Sequence, residues 1–234
     1  MGATAHLGNG KKIENAAISM LNGKIDMVAD ATRIRIDPSA FDTIYRVHGK
    51  HLYPAFIVPN TTLGITEIDA VRASNDYRET GSINPNVRTL IAYNTDSKIA
   101  KTVRSNGVLI AQVTPRGGTI SGQSSVMHLA GWNWEDAALR IDDGIHLNWP
   151  LMQVRRRNPQ TFEFETVDNQ EYAGAVQILH SLFQSAQAYT GERLNLNLQA
   201  MQPLFNGSAK LYLHANEAKE IISAVRFARS YPIV

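Results

Sequence analysis

The sequence predicts an α/β fold with a barrel-type sheet, and three observations carry that reading. An Asn22-Gly23 pair separates two short apolar runs near the amino terminus. Residues 97–113 spell a helix, a glycine stop and a buried strand. Residues 210–230 spell a strand that ends in a histidine and then an amphipathic helix.

Residues 5–50 read as short strands and turns. Ala16-Ala17-Ile18-Ser19-Met20-Leu21 and Lys24-Ile25-Asp26-Met27-Val28 flank the Asn-Gly pair, which tolerates the positive φ angles of a type I′ hairpin turn. Residues 56–60 form the next apolar run, and residues 67–78 are polar, with an acidic start. Gly81-Ser82-Ile83-Asn84-Pro85-Asn86 is rich in turn formers. A helix is expected over residues 97–106, with Asp96 or Ser97 as N-cap, Ile99, Ala100 and Val103 on one face, and Gly107 as its stop. Val108-Leu109-Ile110-Ala111-Gln112-Val113 is a continuous apolar run of the kind a two-sided buried parallel strand shows. Helix and strand together make one βαβ unit, so residues 56–60 and 108–113 are expected to be parallel neighbours.

Residues 114–126 are expected to leave the carboxyl end of that strand as a loop, the place where barrel enzymes build their sites. Arg116, Gly117, Gly118 and Ser121 in it are candidate ligand-binding residues, because glycines let a backbone approach a ligand and present free N–H groups to an anion or a carbonyl oxygen. The spacing matches neither nucleotide-binding glycine motif, and turn geometry alone also accounts for glycines. Trp132 and Trp134 are expected to pack, Arg155-Arg156-Arg157 to be a solvated face or loop, and residues 169–189 to form a helix with Tyr172, Val176, Leu179, Leu182, Phe183 and Ala186 on one face. His180 on that helix is expected at solvent or at a core edge. Residues 196–204 read as helix, 210–215 as a strand ending at His214, and 217–230 as a helix with Ile221, Ile222, Val225 and Ala228 apolar.

Composition bounds the function. A chain of 234 residues holds one large or two small domains, and a formal charge of +2 without a long basic run gives no reason to expect nucleic acid. The absence of cysteine excludes disulfides, Cys-zinc sites and a thiol nucleophile. No apolar run is long enough for a membrane span, and the first residues do not form a signal peptide, which leaves cytoplasm and periplasm both open.

Gly49-Lys50-His51-Leu52-Tyr53-Pro54, continuing through Phe56-Ile57-Val58-Pro59-Asn60-Thr61-Thr62-Leu63-Gly64, resembles the first barrel strand of the amidohydrolase superfamily, in its imidazolonepropionase-like branch. The segment that contains Asn22-Gly23 resembles the small β-sandwich preceding the barrel there, and His214-Ala215 before a helix resembles a later strand that presents a metal-binding histidine. The resemblance implies a partial (β/α)8 TIM-type barrel over residues 53–234, preceded by the first part of a β-sandwich over residues 1–52. It also implies hydrolysis of a non-peptide C–N bond in a cyclic or linear amide, with a metal lowering the pKa of bound water. The family's two strand-end histidines are replaced by Asn60 and Thr62, poorer ligands for a transition metal, which could instead orient substrate or hold an ion through water. His214 is the one residue that matches a ligand position, so the resemblance implies zinc for the complete protein, with binding weak or absent in this chain; no acid/base residue is assigned.

A complete barrel needs about 250 residues, and Tyr231-Pro232-Ile233-Val234 reads as the start of another strand. The chain is therefore expected to be the amino-terminal part of a longer protein or one partner of a split one, inactive alone. Its open sheet edges would be covered by the missing half or by self-association. The alternative to an enzyme of small-molecule substrates is a binding or structural relative that lost the metal site; an unrelated α/β domain is the third reading.

Overall fold

The computed structural model describes residues 1–233 and divides the chain into two compact units, Met1–Phe56 and Ile57–Val234. Each is built around a sheet of its own.

The first unit is a four-stranded sheet in the order β3-β2-β1-β4. Its strands are β1 (Ala3–His6), β2 (Lys12–Leu21), β3 (Lys24–Asp30) and β4 (His51–Leu52). β2 and β3 pair antiparallel across the expected turn, where Asn22 and Gly23 have φ of 52° and 74°. Both central residues need a positive φ for this turn to follow the sheet's twist. β1 is antiparallel to β2 and parallel to β4. Among the described residues this unit contains one sheet, without the second layer that a sandwich has.

The second unit centres on a five-stranded sheet in the order β11-β8-β7-β6-β5. Its strands are β5 (Phe56–Thr61), β6 (Val108–Val113), β7 (Ile120–His128), β8 (Ala138–Asn148) and β11 (Lys210–His214). β5 lies beside β6. The Thr114 amide donates to the Thr61 carbonyl at 2.8 Å, so both strands finish at the same edge, as parallel neighbours do. The connection between them contains α1 (Thr89–Ala92) and α2 (Lys98–Ser105), the latter capped by the Ser97 side chain on the Ala100 amide.

One strand departs from the parallel barrel expected from the sequence. β7 is antiparallel to β6 and to β8, and β8 is parallel to β11. The reason is connection length: only residues 114–119 separate β6 from β7, whereas a parallel return needs about a dozen residues or more. Residues 120–126, expected as loop, are strand, and so is residues 138–143 beyond α3 (Trp134–Ala137). Ile120-Ser121-Gly122-Gln123-Ser124-Ser125 hides its strand character because its small polar side chains are buried and show no apolar alternation. The architecture is mixed α/β. Four strands, β5, β6, β8 and β11, still run in one direction with their carboxyl ends at one edge, and β7 delivers its amino end to that edge.

Strand periodicity separates the two faces of this sheet. Ile145 and Leu147 of β8 and Leu211 and Leu213 of β11 pack with α4 (Tyr172–Gln187), α5 (Leu196–Phe205) and α6 (Ala218–Arg229) in the largest apolar cluster, around Phe183, Met201 and Phe227. Ala111 and Val113 of β6 belong to smaller clusters with Leu63, Ala100, Leu90 and Tyr93. The alternate residues Gln112, His146, Asn148, Tyr212 and His214 fall on the other face. A separate hairpin, β9 (Gln153–Arg157) with β10 (Phe164–Asp168), carries the three arginines on strand rather than loop. His180 lies at the core edge against Tyr231, at 2.8 Å from its hydroxyl. Trp134 packs as expected, but Trp132 is 89% exposed.

Candidate functional site

The polar face of the sheet and its common carboxyl edge bring the chemistry together. His214 is the last residue of β11, and its Nε2 lies 2.8 Å from Nδ1 of His146 on the adjacent β8. Parallel register sets this pair: Tyr212 is opposite His146 and His214 opposite Asn148, so the two imidazoles are diagonal neighbours on one face. Tyr212 stacks on His146 with ring centroids 4.7 Å apart. Gly144 makes that possible, since a Cβ there would lie 2.6 Å from the tyrosine ring.

A buried carboxylate anchors the other side of Tyr212. Its hydroxyl donates to Asp143 Oδ2, which also accepts from Gln112 Nε2 at 3.2 Å, while Arg140 pairs with Oδ1 at 2.8 Å. Gln112 Oε1 in turn accepts from the Asn60 amide at 3.2 Å. Burial and the adjacent Asp143 push the Tyr212 hydroxyl up to about 12, so it stays protonated and donating.

Asn60 stands at the end of β5 with a φ of 52°, a conformation asparagine tolerates better than most residues. Arg116 grips it with a fork: Nη1 donates to the side-chain oxygen and Nη2 to the backbone carbonyl, each at 2.6 Å. The guanidinium charge reaches the histidines. Burial first, then His214 and Arg116, hold His146 down at about 3. His214 is also held below its ordinary value, by burial and then Arg116. Both rings are neutral at pH 7. His146 is 1% exposed, and its Nε2 has no partner among the described residues.

The residues singled out from the sequence divide clearly. Asn60, Arg116 and His214 join one network. Ser121 is buried at the start of β7 and its hydroxyl accepts from Asn148 Nδ2 at 2.9 Å; the same amide donates to the Gly118 carbonyl at 2.8 Å. Gly118 also serves packing, since a Cβ there would meet the Ser82 carbonyl at 2.9 Å. Gly117 has a φ of 83° and lies against the Arg78 side chain. Thr62 is half-buried just past β5, and its carbonyl accepts from the Ile65 amide. Its side chain forms no hydrogen bond with the network. The sequence reading missed Gln112, Asp143, His146, Asn148 and Tyr212. The signal for two of them was Ile145-His146-Leu147-Asn148, an apolar/polar alternation with period two.

No family description matches the chain, and no curated protein matches it. Among solved structures, an amidohydrolase from Thermotoga maritima MSB8 superposes with a TM-score of 0.81 over 99% of this chain, at 18% identity. The fold is amidohydrolase-like. The chain spans 61% of the length of that structure, and at this identity the likeness concerns architecture alone.

The sequence resemblance implies a metal ion, and the donor geometry among the described residues differs from that of a ligand set. Two imidazole nitrogens on a tetrahedral zinc stand about 3.3 Å apart, from bonds of about 2.0–2.1 Å. Here they are 2.8 Å apart, a hydrogen-bonding distance in which one nitrogen is spent as a donor. The Asn60 oxygen is held by a guanidinium, whose charge opposes a dication. Among the described residues no three His, Cys, Asp or Glu side chains are grouped to hold a metal.

Proposed function

We propose that the complete protein hydrolyses a non-peptide C–N bond in a cyclic or linear amide, and that this chain supplies the substrate-binding edge. The observation that carries this reading is the neutral His146–His214 pair beside Arg116, at the carboxyl edge of an amidohydrolase-like sheet. A neutral, half-exposed His214 can accept a proton from water that attacks a carbonyl, with His146 fixing its orientation. Asn60, Arg116, Gly117, Gly118 and Ser121 line the same edge and hold the substrate, with Thr62 at its margin. β5 and β11 are the outer strands of the sheet, and further residues of a longer chain or a second copy cover them.

The test is hydrolysis of hydantoins, dihydropyrimidines, imidazolones, lactams and linear N-acyl amines by the complete protein, followed by chromatographic detection of the products. Turnover should fall at least about a hundredfold in His214→Asn. No turnover of any of these, or full turnover in the variant, overturns the reading.

A second reading is a binding relative without catalysis. Its support is the Asn60–Arg116 fork, which fills the position where the resembling family places its first metal ligands. Ligand binding with no turnover would decide for it.

A further inference from the structure

The loop between β6 and β7 collects positive charge that no ion pair among the described residues balances. Arg116 is half-buried and already oriented by Asn60, yet its fork uses only two of five N–H donors. Arg78 reaches the same loop: a Cβ on Gly117 would lie 3.1 Å from its Nε. The backbone ties the two together, because the Arg116 amide donates to the Tyr77 carbonyl at 2.7 Å. Neither arginine is within 4.0 Å of a carboxylate in any ion pair among the described residues. The Gly117 and Gly118 amides, next to Arg116 in the chain, have no acceptor among the described residues.

We propose that Arg116 and Arg78, with the Gly117 and Gly118 amides, form a site for the anionic group, a carboxylate or a phosphate, of a small-molecule ligand. The geometry suits it in three ways. A guanidinium held by two hydrogen bonds has lost the rotamer freedom that a flexible arginine gives up on binding. Its remaining N–H donors match the paired oxygens of a carboxylate or phosphate. Backbone N–H groups beside a left-handed glycine pair add donors without adding side-chain bulk.

This inference deepens the hydrolase reading by giving the substrate a charged substituent, but anion binding is measured without turnover, so either can fail alone. Inorganic phosphate and malonate are titrated separately into the chain in excess chelator, followed by amide and arginine side-chain NMR shifts. At least one anion should move the Gly117, Gly118 and Arg116 signals in a saturable way. Which of the two binds identifies the group as phosphate or carboxylate. Arg78→Met and Arg116→Met should each weaken binding at least about tenfold, while Lys24→Met, a charge removed from β3, should leave it unchanged. Arg78 is exposed and makes no structural hydrogen bond, so its variant tests the site even if Arg116→Met unfolds. Absence of saturable shifts with both anions, an undiminished affinity in Arg78→Met, or equal loss in Lys24→Met would overturn the proposal.

Discussion

His146 and His214 form a hydrogen-bonded imidazole pair, with Nδ1 of one 2.8 Å from Nε2 of the other, on adjacent parallel strands 68 positions apart in sequence. Their common environment makes the folded state sensitive to mild acid. His146 is held at about 3 against an ordinary 6.5, by burial above all.

The sign follows from proton linkage. Below pH 6.5 the unfolded chain takes up a proton that folded His146 refuses until pH falls to about 3. Stability present at pH 7 is therefore lost on acidification, by up to about 1.4 kcal/mol per pH unit. His214, shifted in the same direction, adds to the loss. Urea unfolding at pH 7 and pH 5 should show a decrease of about 2 kcal/mol from His146. His146→Leu should flatten most of this dependence, and an identical slope in wild type and variant would refute the assignment.

Restoring the histidines that the resembling family carries should not by itself create a good metal site. In Asn60→His/Thr62→His the Arg116 guanidinium remains to oppose a dication. Adding Arg116→Gln should raise zinc affinity at least about tenfold over the double variant, a conservative figure for a full charge a few ångströms away. Calorimetric titration with zinc checks this. Equal affinities would show that Arg116 does not set the local potential.

Gly144→Ala should disturb the site without touching a polar group. The new methyl would collide with the Tyr212 ring and the Lys210 carbonyl, both fixed by the sheet. A destabilisation of about 1–3 kcal/mol is expected, with loss of the ring-current shift that stacking on Tyr212 gives His146. Preserved His146 shifts in a folded variant would contradict the packing described.

Glu220 should prove structural rather than functional. It is 2% exposed, its Oε1 accepts from the Met152 amide at 2.8 Å, and it completes a capping box with Glu217 at the start of α6. Glu220→Ala leaves the Met152 amide without its acceptor and removes the Glu220 half of the capping box, costing about 2–3 kcal/mol in thermal or urea unfolding. Anion binding near Arg116 should survive in the folded fraction.

Local rules fixed much of this chain directly. Asn22-Gly23 can only be a tight turn with this twist, Ser97 and Gly107 bracket α2, and the apolar steps from Tyr172 to Ala186 make α4, because turn, cap and periodicity energies act within a few residues of sequence. His214 was legible as a strand-end residue for the same reason. The reversed strand β7 was not. Its buried serines and glutamine are satisfied by partners far along the chain: the Ser124 hydroxyl accepts from Gln112 Nε2, and Gln123 Nε2 donates to the Pro85 carbonyl. A polar strand is stable in the interior only when such long-range hydrogen bonds exist, and they leave no periodic trace in sequence.

The site divides along the same line. Sequence alone determined which residue types stand at strand ends: an asparagine near the end of β5, an arginine beside two glycines, a histidine closing β11. Tertiary structure decided what they mean together. Only the register of β8 against β11 sets His146 against His214, and only the neighbouring ends of β5 and β6 let Arg116 close on Asn60. Electrostatic and hydrogen-bond energies depend on distances of a few ångströms in a water-poor space. For residues 56 and 68 positions apart, those distances exist only after the sheet has formed.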